Sequence, residues 1–216
     1  IKELLQSGEL GDLHYIYSSR VNLGIVQRDL NALWSIAPHD ISIFLFLLEQ
    51  MPTAIRADGG SFLTAGIHDV VFLHLSFPGN LLGQIHVSWL DPAKNRKVTL
   101  VGSKKMIIYD DLDNEAKIKV YNKGVFRVDG NNYGEFQYKL HSGDIYIPRL
   151  EMTEPLKNEC QHFIDCLRSK ATPRSDGESG LRVIKVLEAA QESLTHEGIK
   201  IPLPKIANQP EGEIPE

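Results

Sequence analysis

Two runs of alternating side chains, residues 70–77 and 81–89, meet at Pro78-Gly79-Asn80. Successive side chains of a strand point to opposite faces, so a period of two assigns each residue to a side. Val71, Leu73, Leu75 and Phe77 fall on one side, and Leu81, Gly83, Ile85, Val87 and Trp89 match them. The other side carries His74, Ser76, Gln84, His86 and Ser88. Pro-Gly-Asn supplies the reversal. The pattern predicts an antiparallel hairpin with one apolar face on a core and one polar face open. The rest of the chain has to cover that apolar face.

Most of the remainder reads as further strands followed by helices. Ile1-Lys2-Glu3-Leu4-Leu5 is a helical pattern that starts without a cap and stops at Ser7-Gly8, as the end of a longer helix would. Residues 13–21 alternate as a strand, and a loop is expected from 22 to about 35. Pro38 suits the first turn of a helix, where its missing N–H costs nothing. Ile41, Phe44, Leu45 and Leu48 follow at helical spacing, and Ile43, Phe46 and Leu47 predict burial on most sides. Short strands are expected at 54–59 and 118–121, with a hairpin of 97–101 and 106–109 around Gly102-Ser103. Residues 124–134 read as loop, and 136–140 as a strand. Thr153-Glu154-Pro155 opens a helix carrying Leu156, Cys160, Phe163 and Leu167. A second helix carries Leu181, Ile184, Leu187 and Leu194 and stops at Gly198. Residues 199–201 suit a last strand. The expectation is one α+β domain over 1–202, an open mixed, largely antiparallel sheet with helices covering one face, and an extended tail over 203–216.

Composition narrows function by exclusion. Of 216 residues, 23 are Lys or Arg and 28 Asp or Glu, a net charge of −5 with no basic block, which argues against a nucleic-acid partner. The largely apolar stretch 41–48 is far too short to span a bilayer, so no membrane is expected. Cys160 and Cys166 stand six apart in one helix, about 240° around its axis, and should not bridge. Free thiols suit a cytoplasmic location. No Gly-x-Gly-x-x-Gly, Walker loop, Gly-x-Ser-x-Gly, His-Glu-x-x-His or Cys-x-x-Cys occurs, which removes the usual signatures of dinucleotide, phosphate, acyl-transfer and metal sites.

The most suggestive segment is Trp34-Ser35-Ile36-Ala37-Pro38-His39-Asp40. With Pro38 at a helix start, His39 and Asp40 fall in the first turn, where the partial positive charge favours a neutral His and an ionised Asp. A neutral His near pH 7 accepts a proton from a hydroxyl. The plainer alternative has Asp40 supporting the turn and His39 bonding a neighbour. Arg20 and Asn22 end the first strand and suit hydroxyls or an anion, or a surface ion pair. His141-Ser142-Gly143-Asp144 reads as a polar turn, with or without a ligand. His68-Asp69 reads as loop structure. His74 and His86 lack a carboxylate at matching parity, so a solvated or interface role fits better than a metal.

The ordered set Gly11-Asp12-Leu13, a strand ending at Arg20, His39-Asp40, Phe77-Pro78-Gly79, Val87-Ser88-Trp89, Val101-Gly102-Ser103-Lys104, Glu154-Pro155-Leu156, Asp176-Gly177-Glu178 and Gly180-Leu181-Arg182 resembles the C-terminal domain of the glucose–fructose oxidoreductase, inositol dehydrogenase and MocA-type family. The resemblance spans nearly all of 1–202. It implies the dihydrodipicolinate-reductase-like C-terminal fold and a separate N-terminal Rossmann domain, absent from this chain, that binds NAD or NADP. It also implies a sugar, sugar-nucleotide or cyclitol substrate between the domains, and a homodimer through the open sheet face. The family's Asp-x-x-x-His motif maps its histidine onto His39 and its aspartate onto Ser35, a departure. The family's lysine would lie upstream of Ile1. The resemblance makes His39 and Ser35 the catalytic positions, with Arg20, Asn22, Asp40 and His141 as substrate contacts. It leaves this chain alone without a cofactor and inactive. The alternative is a binding or assembly module that kept the fold and lost the chemistry.

Overall fold

A computed structural model describes residues 1–129 and 136–204. The elements in chain order are α1 (Lys2–Gln6), β1 (Leu13–Val21), α2 (Ala32–Leu48), β2 (Ala54–Gly60), β3 (Val70–Ser76), β4 (Leu82–Ser88), β5 (Asn95–Gly102), β6 (Met106–Asp110), β7 (Ile118–Asp129), β8 (Phe136–Tyr146), α3 (Pro155–Ser169), α4 (Gly177–Thr195) and β9 (Ile201–Pro202). The strands form one sheet in the order β8-β7-β6-β5-β1-β4-β3-β2-β9. Every pairing is antiparallel except that of β1 with β4. The α+β class and the open, mostly antiparallel sheet are as the sequence predicts.

The hairpin that anchors the sequence reading forms in the expected register, with Val71 opposite Val87 and Leu73 opposite Ile85. Gly79 takes a φ of 70° in the connecting 3-10 turn Pro78–Asn80, a conformation that favours glycine. Val71, Leu73, Leu75, Phe77, Leu81, Ile85, Val87 and Trp89 are all buried. Helices α2 and α4 cover them. Leu33, Ile41 and Phe44 of α2 and Val186 and Leu187 of α4 belong to the same core as Ile16, Ile55, Leu73 and Leu100 from the sheet. Removing a fully buried Phe such as Phe44 costs about 3–5 kcal/mol.

Polar bonds fix how the two helices sit. Gln191 Oε1 accepts from Asn31 Nδ2 at 2.9 Å and from Trp34 Nε1 at 3.2 Å, which ties the start of α2 to α4. The buried Ser193 hydroxyl accepts from the Ala57 N–H at 2.9 Å and donates to the Ile199 carbonyl at 2.6 Å, which pins α4 on β2. These bonds satisfy groups that burial would otherwise leave costly.

Several expectations are corrected. Helix α2 begins at Ala32, six residues before Pro38, because Asn31 Oδ1 accepts from the Trp34 N–H at 3.1 Å and caps it. Pro38 sits inside the helix. His39 and Asp40 therefore lie two turns in, beyond reach of the terminal partial charge. Phe46 of α2 is exposed. Residues 124–129 continue β7 instead of looping, and 141–144 lie within β8 instead of forming a turn. The two long strands pair with each other and so need no third strand to satisfy their inner backbone groups. Leu156, Phe163 and Leu167 of α3 are exposed, so that stripe does not face the core, whereas on α4 Leu181 and Ile184 are exposed but Leu187 is buried and Leu194 packs against the core. Cys166 is buried and Cys160 exposed, both free. The expected loop at 130–134 and most of the expected tail at 203–216 lie outside the described residues.

Candidate active site

The helix-facing side of the sheet is apolar except where β1 and β5 approach α2. Ile16, Ser18 and Arg20 share that side of β1, and Arg20 lies directly opposite Arg96 of β5. Ser35 and His39, four apart, share one side of α2. Arg20, Arg96, Ser35 and His39 border a cavity of about 460 Å³, lined also by Val21, Asn22, Gly24, Ile25, Ile36 and Trp89. That size falls within the roughly 300–1,000 Å³ of small-molecule sites. The loop after β1 is held to the end of β4: the Asn22 N–H donates to the Ser88 carbonyl at 3.2 Å and the Gly24 N–H to the Trp89 carbonyl at 3.1 Å.

Behind the cavity wall, Arg20 Nε donates to Asp40 Oδ2 at 2.6 Å, an ion pair whose side chains are only 16% and 2% exposed. Burial of this pair, not a helix terminus, sets the surroundings of Asp40. Arg96 Nη1 stands 3.6 Å from Asp111 Oδ2. Asp111 Oδ1 accepts from the Tyr109 hydroxyl at 2.9 Å and lies 3.7 Å from Lys117 Nζ. Burial pushes the Tyr109 phenol up to about 12, reinforced by its hydrogen bond to Asp111 and the Asp111 charge. Burial raises the Asp111 carboxyl, but the Tyr109 hydrogen bond and the Lys117, Arg96 and Arg20 cations outweigh it and hold the group below the usual carboxylate range. The His39 imidazole and the Ser35 hydroxyl make no hydrogen bond among the described residues, and both line the cavity. A donor–acceptor imidazole, a hydroxyl and a guanidinium around one concave space can bind a polyol and take a proton from one of its hydroxyls.

Four of the six sequence-selected residues, Arg20, Asn22, Ser35 and His39, meet in this cavity, and Asp40 stands directly behind it. His141 does not join them. It sits exposed on β8, 3.2 Å from Asn122 Oδ1, and lines no part of the cavity. Sequence reasoning missed Arg96 and gave Trp89 a core role only. Arg96 reaches the cavity through the pairing of β5 with β1 and Trp89 through that of β4 with β1; both join strands distant in sequence and leave no local signal. His68-Asp69 is structural as expected: Asp69 Oδ2 accepts from the Phe62 and Leu63 N–H groups at 2.6 and 3.0 Å. No cluster of three or more potential metal ligands occurs among the described residues. Another cavity, about 700 Å³, lies between Lys2, Phe46, Glu49 and Arg182 but gathers none of the candidate residues, so volume alone does not mark the site.

The fold has many solved counterparts. A UDP-N-acetylglucosamine 3-dehydrogenase from Acidithiobacillus ferrooxidans superposes with a TM-score of 0.69 at 16% identity, over 90% of this chain and 58% of its own. A levoglucosan dehydrogenase in complex with NADH and L-sorbose gives 0.71 at 13% identity, over 95% and 62%. The WlbA dehydrogenase from Bordetella pertussis, in complex with NADH and UDP-GlcNAcA, gives 0.66 at 19% identity, over 94% and 58%. The chain thus spans about three-fifths of the length of these enzymes. No curated protein matches the sequence. Residues 1–108, half of the chain, match the family described as the GFO/IDH/MocA C-terminal domain, and the chain belongs to that family.

Proposed function

We propose that this chain is the substrate-side domain of a nicotinamide-dependent dehydrogenase that oxidises a hydroxyl of a sugar, sugar nucleotide or cyclitol. The observation that carries the reading is the convergence of His39 and Ser35 of α2 with Arg20 and Asn22 of β1 on one cavity. His39 accepts the hydroxyl proton or polarises the hydroxyl. Ser35, one turn before it, offers a neutral hydrogen bond where the family has a carboxylate. Arg20 and Asn22 position the substrate.

The described residues do not by themselves fit a dinucleotide. The parallel β1–β4 pair carries no glycine-rich turn into a helix, so no phosphate cradle is formed. NAD or NADP is therefore assigned to a separate Rossmann domain. The exposed apolar side chains Leu156, Phe163 and Leu167 of α3 offer that domain a docking surface. The open sheet face, with Tyr15, Tyr17, Phe72 and Leu82 exposed beside His74 and Gln84, suits a homodimer.

The test is turnover by the full-length protein with UDP-N-acetylglucosamine, myo-inositol and glucose as substrates. His39→Ala should lower kcat by about 10²–10⁴-fold while the melting temperature stays within a few degrees. Unchanged turnover in the variant, with any substrate that the wild type accepts, refutes the assignment and favours the assembly module.

A further inference from the structure

The cross-strand arginines are unexplained by the fold. Arg20 and Arg96 are register partners on the same face of β1 and β5, and both line the cavity. Like charges directly opposite each other on neighbouring strands are destabilising. Each is steadied from behind by one carboxylate, and neither is used up by it. Arg20 gives only its Nε to Asp40, and among the described residues its two Nη groups have no hydrogen-bond partner. The Arg96 side chain makes no hydrogen bond among them, its closest carboxylate being Asp111 at 3.6 Å. The fork of each guanidinium is thus left for the cavity.

The local charge count agrees. Three cations, Arg20, Arg96 and Lys117, face two carboxylates, Asp40 and Asp111, which leaves one positive charge (3 − 2) in a chain of net −5. The neighbouring carboxylates do not cancel it. Asp110 pairs with Lys97 at 3.3 Å on the opposite sheet face, and the Asp91 charge acts on His86 of that same open face. Guanidinium forks match the planar, two-oxygen geometry of carboxylate and phosphate far better than that of neutral hydroxyls.

We infer that Arg20 and Arg96 form an oxyanion subsite, so that the preferred substrate is a sugar bearing a carboxylate or a phosphate group. The inference rests on the cavity being the substrate site. It adds a chemical class to that reading. Arg96 contacts the anion from the β5 side and Arg20 from the β1 side. Asp40 is a positioning residue that holds Arg20 by its Nε and turns the Nη groups outward.

The experiment is calorimetric titration of the full-length protein with D-glucuronate, glucose 6-phosphate, UDP-N-acetylglucosamine and D-glucose. At least one anionic probe should bind tenfold or more tighter than glucose, and the preference should fall as salt is raised. Glucuronate against glucose 6-phosphate separates a carboxylate from a phosphate preference. Arg96→Gln should remove most of the advantage, lowering affinity for the anionic probe at least tenfold more than affinity for glucose. Arg96→Lys, which keeps the charge and loses the fork, should restore only part of it. Arg96 is half-exposed and pairs loosely, so both variants should fold, whereas Arg20→Gln would strand a buried Asp40. No advantage for any anion over glucose, or an advantage indifferent to Arg96→Gln, overturns the subsite. If His39→Ala still abolishes turnover in that case, the dehydrogenase reading stands without it.

Discussion

Removing Asp40 should unfold the protein more than removing any surface ion-pair partner. Arg20 Nε lies 2.6 Å from Asp40 Oδ2, with side chains 16% and 2% exposed. Asp40→Leu leaves a mostly buried guanidinium without a counter-charge, a loss of about 3–5 kcal/mol. In a chain of this length that lowers Tm by on the order of 10 °C. Arg20→Met does comparable damage from the other side, because Asp40 is then the stranded charge. The double variant Arg20→Met/Asp40→Leu buries apolar groups of similar size and should recover most of the loss. The two changes are therefore strongly non-additive, with an interaction of about 2 kcal/mol or more. Glu49→Gln is the control: its pair with Lys2 at 2.6 Å is exposed, 27% and 59%, and should matter by less than about 1 kcal/mol. Urea unfolding followed by far-ultraviolet circular dichroism measures all four variants. Single losses that add within about 0.5 kcal/mol would show that the pair is not coupled and that burial is the wrong basis for its value.

Light scattering of the wild type at micromolar concentration should give a dimer, and Tyr17→Asp/Leu82→Asp, on the open sheet face, should give a monomer; a wild-type monomer removes that interface. Ultraviolet titration should show one tyrosine ionising near 12, and Tyr109→Phe should remove that step. Because the folded value is raised above the unfolded one of about 10, the stabilisation from neutral Tyr109 is complete below pH 10 and is lost as pH rises towards 12. Gly102→Ala should destabilise by about 1–3 kcal/mol in thermal melts, because a Cβ there meets the Leu10 carbonyl oxygen and comes within 2.9 Å of the Lys105 carbonyl oxygen.

What the sequence shows is what short-range periodicity controls. The 70–89 hairpin was legible because each side chain's face follows from its parity, and β1, β5 and β6 were legible for the same reason. The start of α2 was misplaced because Pro38 is a strong local cue and Asn31 a weak one. Asn31 wins through tertiary support: Gln191 of α4 holds its amide, and the Ala32 N–H donates to the His68 carbonyl at 2.8 Å. No reading of 31–40 alone contains those partners. His39 and Ser35 still meet at one cavity because a helix keeps residues four apart on one side wherever it begins. The reason given for Asp40 failed, because its partner Arg20 is twenty residues away. His141 failed because a strand places a side chain according to its neighbours, and β8 lies at the far edge of the sheet from α2 and α4.

Charged departures from good core design gather beside the cavity, and this is a physical reason to propose function there. Along the helix-facing side of the sheet, Ile16, Leu73, Ile85, Val87, Val98 and Leu100 are buried and apolar. The rule breaks at the end of β1, as it also does at Asp69, buried with an unpartnered Oδ1 just before β3. Ser18 buries a hydroxyl with no partner, Arg20 faces Arg96 across the strands, and α2 places a buried Asp40 above them. Each feature costs stability that an apolar side chain would not. A chain shaped for folding alone would carry the stripe of Val and Ile through positions 18 and 20 to the end of β1. This chain interrupts it where His39 and Ser35 come down from α2, and the two guanidiniums it retains there present unsatisfied donors to a cavity of about 460 Å³. Local frustration gathered at and behind the wall of a cavity is expected of a binding site. It also means that Arg20→Met/Asp40→Leu, the variant expected to restore stability, is the one expected to lose anion recognition.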